Sequence, residues 1–192
     1  MKSLPATTYG VGQRAEQAAA RLLIQRGWMV IPISEYTNNT GGIINAPMLM
    51  MPNGMKISPD LFAIRNGKQI WCEVKDKTAP TYTWKWHRWE HGIDLPNCND
   101  YQAVQDQSGF PVYLLVHENN SPKTPDLHLE IMSDISAYKK MKADLKPSSV
   151  WLVISLDEAL LSGNILEKNP EMISANNPRG AGLYWPRSAM KI

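Results

Sequence analysis

Several things are scarce in this chain, and each scarcity closes off a class of protein. Only 2 of its 192 residues are cysteines. Cys72 falls in an apolar stretch and Cys98 in a polar one, without the paired spacing of a zinc site or a disulfide framework, so reduced thiols in a reducing compartment are expected. No run approaches the roughly 18 consecutive apolar residues that span a bilayer, and Met1-Lys2-Ser3-Leu4-Pro5 lacks the apolar core of a secretory signal. The expected setting is the cytoplasm, with no membrane partner. Charge of one sign is scarce too: 20 Lys and Arg against 18 Asp and Glu leave +2. Any attraction to phosphate must therefore be local. What is present is ordinary globular composition, 43% hydrophobic and 20% charged, which predicts one well-buried domain over residues 1–192.

Residues 58–75 hold the strongest local signal. Ser58-Pro59-Asp60-Leu61-Phe62-Ala63-Ile64 and Gln69-Ile70-Trp71-Cys72-Glu73-Val74-Lys75 are rich in strand formers and flank Arg65-Asn66-Gly67-Lys68. Asn66-Gly67 supplies the positive φ angles that a two-residue hairpin turn demands. Alternation puts Trp71, Glu73 and Lys75 on one face of the second arm and Ile70, Cys72 and Val74 on the other. Antiparallel pairing brings Asp60 beside the end of that arm, so two carboxylates and an amine are predicted to converge. A cross-strand ion pair on an exposed face would account for them. Trp71 on the same face points instead to a covered one, where charges need partners or a metal.

Before the hairpin, Ala15, Ala18, Ala19, Leu22 and Leu23 recur at helical spacing over residues 11–26, and Gly27 ends the helix. Glu16 lies at the border of its buried face, as a solvated flank paired with an arginine or as a functional group. A strand is predicted over 28–33, and 34–54 reads as loop with a small hairpin at 43–51. After the hairpin, residues 76–96 interleave Lys77, Tyr82, Trp84, Lys85, Trp86, His87, Arg88, Trp89 and His91. Aromatics that stack on bases and cations that neutralise phosphates make this a candidate nucleic-acid contact; aromatics capping the sheet with the cations in water is the competing reading. His87 and His91 read as surface or phosphate-contacting rather than zinc ligands. A helix is predicted at 99–107, capped by Asn99 or Asp100 and ended by Gly109, and a central strand at 110–117. Beyond it come a turn at 119–125, a strand at 127–132, a helix near 133–145, a buried strand at 150–154, a helix capped around Ser155 and ending at Gly163, and an edge strand at 183–185.

Pro59-Asp60 followed by Glu73-Val74-Lys75 resembles the signature of the PD-(D/E)XK nuclease superfamily, and the order helix, strand, hairpin, helix, strand over residues 8–118 resembles its core. The resemblance implies an α/β fold, a mixed central sheet flanked by helices, with 119–192 as a C-terminal elaboration. It looks closest to the Holliday-junction-resolvase-like and phage or restriction branches; the Gln-x-x-x-Tyr order of the exonuclease branch is absent. It also implies a Mg²⁺-dependent endodeoxyribonuclease in which Mn²⁺ substitutes. Asp60, Glu73, the Val74 carbonyl and Glu16 would hold the metal, hard oxygen donors of the kind Mg²⁺ prefers. Lys75 would orient or deprotonate the attacking water or stabilise the transition state. Gln105, or Gln102, would approach the metal water or the scissile phosphate. Lys77, Trp84, Lys85, His87, Arg88 and His91 would contact the nucleic acid, DNA by preference with RNA still open, and cutting both strands of a duplex would favour a homodimer. The alternative is a catalytically inactive module of the same fold that binds nucleic acid or a protein.

Overall fold

The computed structural model describes residues 8–33, 35–37, 43–124, 135–167 and 181–192. They belong to two compact units interleaved along the chain, residues 1–76 with 99–116 and residues 77–98 with 117–192. Among the described residues no helix is long and apolar enough to cross a membrane.

The first unit begins with α1 (Thr8–Gln25). Ala15, Ala19 and Leu23 are buried at a spacing of four, the stripe that predicted the helix. Its end is a Schellman arrangement: Trp28 N–H donates to Leu23 O at 3.1 Å and Gly27 N–H to Ile24 O at 2.9 Å, with Gly27 at φ 81°, a conformation open to glycine at little cost. The strand β1 (Met29–Pro32) follows and pairs antiparallel with β5 (Leu61–Arg65). β5 in turn pairs with β6 (Lys68–Lys77) in the register Leu61↔Cys72, Phe62↔Trp71, Arg65↔Lys68. Asn66 and Gly67 both take positive φ, 50° and 75°, as the two-residue turn requires. The sheet runs β1-β5-β6-β9 in this unit, β9 being Val112–Pro122.

The hairpin expected within 43–51 is one strand of a larger one. β3 (Ile43–Met51) pairs with β4 (Gly54–Ile57), and β2 (Glu35–Thr37) lies on the other side of β3. α2 (Leu95–Ser108) starts four residues before the expected position and ends at Gly109, φ 70°. Asp100 is therefore no cap. It sits inside the helix, accepts from Ile57 N–H at 3.1 Å and pairs with Lys56 at 3.2 Å, which ties the end of β4 to α2.

The second unit holds a four-stranded sheet, β11 (Asn164–Glu167), β12 (Ala181–Pro186), β8 (Arg88–Asp94) and β7 (Thr81–Thr83), in that order. β12 was expected at an edge; it lies between two partners, with Leu183 and Trp185 buried. The turn expected at 119–125 gives way to strand as far as Pro122. Its polar residues are held by side-chain bonds: Asn119 Nδ2 donates to Lys77 O at 3.2 Å and Asn120 Nδ2 to Thr78 O at 2.9 Å. β10 (Leu145–Ser155) lies beside this end of β9, and Ser148 Oγ donates to Glu118 O at 3.2 Å. The expected strand at 127–132 falls outside the described residues. α3 (Ile135–Ala143) and α4 (Leu156–Ser162) complete the unit. Ser155 caps α4 through a capping box with Glu158, as its sequence predicts.

At the centre of this unit the Glu118 carboxylate is fully buried. His91 Nε2 lies 2.9 Å from its Oε1, Arg187 Nε and Nη2 donate to its two oxygens at 2.8 Å each, and Ser121 Oγ donates to Oε2. Burial pushes the carboxyl up, but the bonds from His91, Arg187 and Ser121 and the Arg187 charge outweigh it and bring it down to about 2. A carboxyl depressed in the folded state stabilises the fold fully above its unfolded value of 4.5 and loses that contribution as pH falls through about 2. Acid titration followed by circular dichroism should show stability falling by on the order of 2–3 kcal/mol between about pH 5 and pH 2. Glu118→Gln should remove that pH dependence and cost on the order of 3 kcal/mol at neutral pH, because it leaves the part-buried Arg187 guanidinium without its counter-charge.

Candidate active site

The open end of the β5–β6 hairpin concentrates charge inside the first unit. The register that pairs Leu61 with Cys72 places Asp60 level with Glu73, and Asp60 Oδ2 accepts from Val74 N–H at 2.7 Å. That bond orients the Asp60 carboxylate along the end of β6. Glu73 is buried, at 2% relative exposure, and its Oε1 pairs with Lys75 Nζ two residues on, on the same face. Glu73 Oε2 is buried and, among the described residues, has no hydrogen-bond partner.

Neighbouring side chains make this face dry. Trp71 packs tilted against Phe62, its cross-strand partner, with ring centres 4.6 Å apart, and Phe62 lies 5.7 Å from Phe110. Trp71 Nε1–H reaches Ser108 Oγ at the end of α2, 3.1 Å away. The covered face inferred from Trp71 is therefore present.

Helix α1 brings the third acid. Arg65 donates to Arg26 O at 2.8 Å and lies over the Trp28 ring at 4.6 Å, which pins the hairpin turn to the end of α1. From Arg26 back to Glu16 is ten helical residues, about 15 Å at the helical rise. From Arg65 back to Asp60 is five extended residues, about 17 Å at the strand rise. The two lengths match, and Glu16 returns to the level of Asp60, whose carboxyl feels its charge.

Burial and then the Glu73 charge push the Asp60 carboxyl up to about 8; the Lys75 charge and the Val74 N–H pull against them, and Glu16 adds to the rise. Cys72 and Cys98 are buried free thiols; burial, with the charge of Asp60, pushes the Cys72 thiol up to about 12.

This is an acidic, desolvated corner with one carboxylate oxygen unmatched, and a hard divalent cation would relieve it. Among the described residues no three His, Cys, Asp or Glu side chains close on one point as a complete metal cage. A Mg²⁺ site needs none, since that ion is held by one or two carboxylates with waters and phosphate oxygens in the remaining positions. Asp60 and Glu73 fit that role.

The other expected site residues make contacts of their own. Gln105 Oε1 accepts from Val112 N–H at 2.9 Å and fastens α2 to the start of β9. Val74 contributes its N–H to Asp60. The expected nucleic-acid segment belongs to the second unit and is largely committed to its fold. Tyr82 and Trp89 are buried edge to face at 5.2 Å. His91 is buried against Glu118, which corrects its expected place on a contact surface: both faces of β8 are covered here, and Trp89, Glu90 and His91 are all buried. Arg88 lies over the Trp86 ring at 5.3 Å and bonds through Nε, at 2.7 Å, to the buried Glu90. Lys85 is exposed near the same ring, Lys77 ends β6 with its carbonyl bonded to Asn119, and His87 is half-buried at φ 47°. The Trp84 side chain lies outside the described residues. The polar centre of Glu118, His91 and Arg187 had no local signal, since its members are 27 and 69 residues from Glu118.

No protein-family model and no curated protein matches the chain. Among solved structures, it is similar to Hjc, a Holliday junction resolvase from the archaeal hyperthermophile Archaeoglobus fulgidus: 9% identity, 93% of this chain and 86% of that one covered, TM-score 0.48.

Because Asp60 and Glu73 crowd negative charge into one dry corner, Asp60→Asn should raise the melting temperature of the chelator-treated protein by about 2–6 °C at pH 8. Added Mg²⁺ should raise the melting temperature of the wild type and leave Asp60→Asn unmoved.

Proposed function

We propose that the chain is a metal-dependent nuclease that hydrolyses phosphodiester bonds, with DNA cut internally as its reaction. The observation that carries this reading is the hairpin end, where the buried Glu73 has an oxygen without a hydrogen-bond partner among the described residues, beside Asp60 and Lys75. Hydrolysis of a phosphodiester needs a nucleophilic water, neutralisation of charge at the phosphorus, and help for the leaving oxygen. Bound Mg²⁺, or Mn²⁺ in its place, would supply Lewis acidity at the phosphate oxygen and a more acidic water.

The chain's own residues supply the rest. Asp60 and Glu73 would hold the cation, with the Val74 carbonyl as a further oxygen donor. The Val74 N–H fixes the angle of the Asp60 carboxylate before anything binds, so little reorientation is left for the reaction itself. Lys75, paired to Glu73, would present an ammonium to the attacking water and the developing phosphate charge. It would donate hydrogen bonds to both, and shed a proton as base where the cation's field favours the free amine. Glu16, on α1, would orient a water of the cation. The aromatic cover of Phe62 and Trp71 keeps the local dielectric low and strengthens each of these interactions.

Asp60→Ala and Lys75→Ala should each lower cleavage of supercoiled plasmid in Mg²⁺ by on the order of 100-fold or more, with circular dichroism unchanged. Cleavage by both variants at the wild-type rate would sink the proposal. Binding of DNA without cleavage under any divalent ion would instead favour an inactive binding module. A panel of supercoiled, linear, single-stranded and four-way-junction DNA, with matching RNA, defines the substrate.

A further inference from the structure

Within the second unit the residues that looked like base-stacking aromatics serve as a seat. Tyr82 and Trp89 form a buried pair, and Met141 of α3 and Leu145 of β10 pack against it. With Met141 turned inward, the helical repeat sends Lys139 to the opposite side of α3 and Lys140 and Lys142 to its flanks. All three lysines are exposed, as is Lys146 just beyond the helix. Lys123 is delivered to the same place from the end of β9: its N–H donates to Asp144 O at 2.8 Å and its Nζ to Ala143 O at 2.7 Å.

The acid next to these lysines is already spent. Asp144 accepts from Thr124 at both oxygens, from Oγ1 at 2.7 Å and from N–H at 3.1 Å. Among the described residues Lys139, Lys140 and Lys146 pair with no carboxylate. Stabilisation of a helix C-terminus by cations accounts for Lys140 and Lys142 in the last turn and for Lys123 on Ala143 O. It does not account for Lys139 or for Lys146.

We propose that α3 and the start of β10 form a docking surface for the phosphate backbone of duplex DNA, with Lys139, Lys140 and Lys146 as its contacts. The contact is to phosphates, so it positions the duplex and reads no sequence. The choice of DNA as occupant rests on the nuclease reading; the surface itself rests on the exposed lysines and the seat that holds them.

Anisotropy of a fluorescein-labelled duplex of about 20 base pairs, in EDTA so that nothing is cut, tests it on the full chain. Lys139→Gln/Lys140→Gln/Lys146→Gln should weaken binding about tenfold or more near 0.1 M salt and flatten the slope of log K against log salt by about 2 to 3, the value for three lost phosphate contacts. The Lys→Arg triple variant should bind as wild type. Lys139→Glu alone, on the side away from the packed face, should weaken binding in the same direction. In an Asp60→Ala background, which does not cut, the three Lys→Gln changes should weaken binding by the same factor, so loss of cleavage and loss of docking are read separately. Unchanged affinity and salt slope in the Gln variant would overturn the proposal. So would lysine-dependent binding to phosphatidylserine vesicles with none to DNA.

Discussion

Two carboxylates that cannot both be comfortable in one dry corner set the terms for the first unit. Asp60 and Glu73 are brought level by the register of a single hairpin, and burial with mutual repulsion holds the Asp60 carboxyl high. Such an arrangement is costly and persists only where the surroundings over-determine it. The surroundings here do so. A type of turn open to Asn-Gly fixes the register, Arg65 pins the turn to the end of α1, and Trp71 is locked by Phe62 and Ser108. The length of α1 returns Glu16 to the level of the pair.

The second unit handles buried carboxylates in the opposite way. Glu90 and Glu118 are as buried as Glu73, yet both oxygens of each are engaged, Glu90 by Arg88 and Thr83 and Glu118 by His91, Arg187 and Ser121. Those are structural centres, closed to further ligands. Among the described residues Glu73 alone of the three has an oxygen without a hydrogen-bond partner, and the cation it pairs with is the ammonium of the part-exposed Lys75. A bidentate arginine would have closed the site; a lysine leaves it open.

Elements whose signal is local were legible. The α1 stripe and its Gly27 stop, the Asn66-Gly67 turn and the Ser155 capping box each depend on residues within a few positions of one another. Where a partner lies far along the chain, legibility failed. The stretch 119–125 reads as a turn by composition, but Asn119 and Asn120 are extended because their amides find the carbonyls of Lys77 and Thr78. β12 reads as an edge because nothing near it reveals partners on both sides. His91 reads as a surface cation because its carboxylate is Glu118, and Arg88 reads as a phosphate contact because its carboxylate, Glu90, is indistinguishable from a solvated one until the sheet buries it.

By itself, then, the sequence determined the hairpin, its register and the meeting of Asp60, Glu73 and Lys75, because strand alternation and a two-residue turn leave a single antiparallel solution. Tertiary structure alone decided how buried those charges are, which glutamate oxygen stays open, and where the second unit's cations point. Burial and pairing are properties of what packs around a residue, and the residues that do so here come from other elements of the chain.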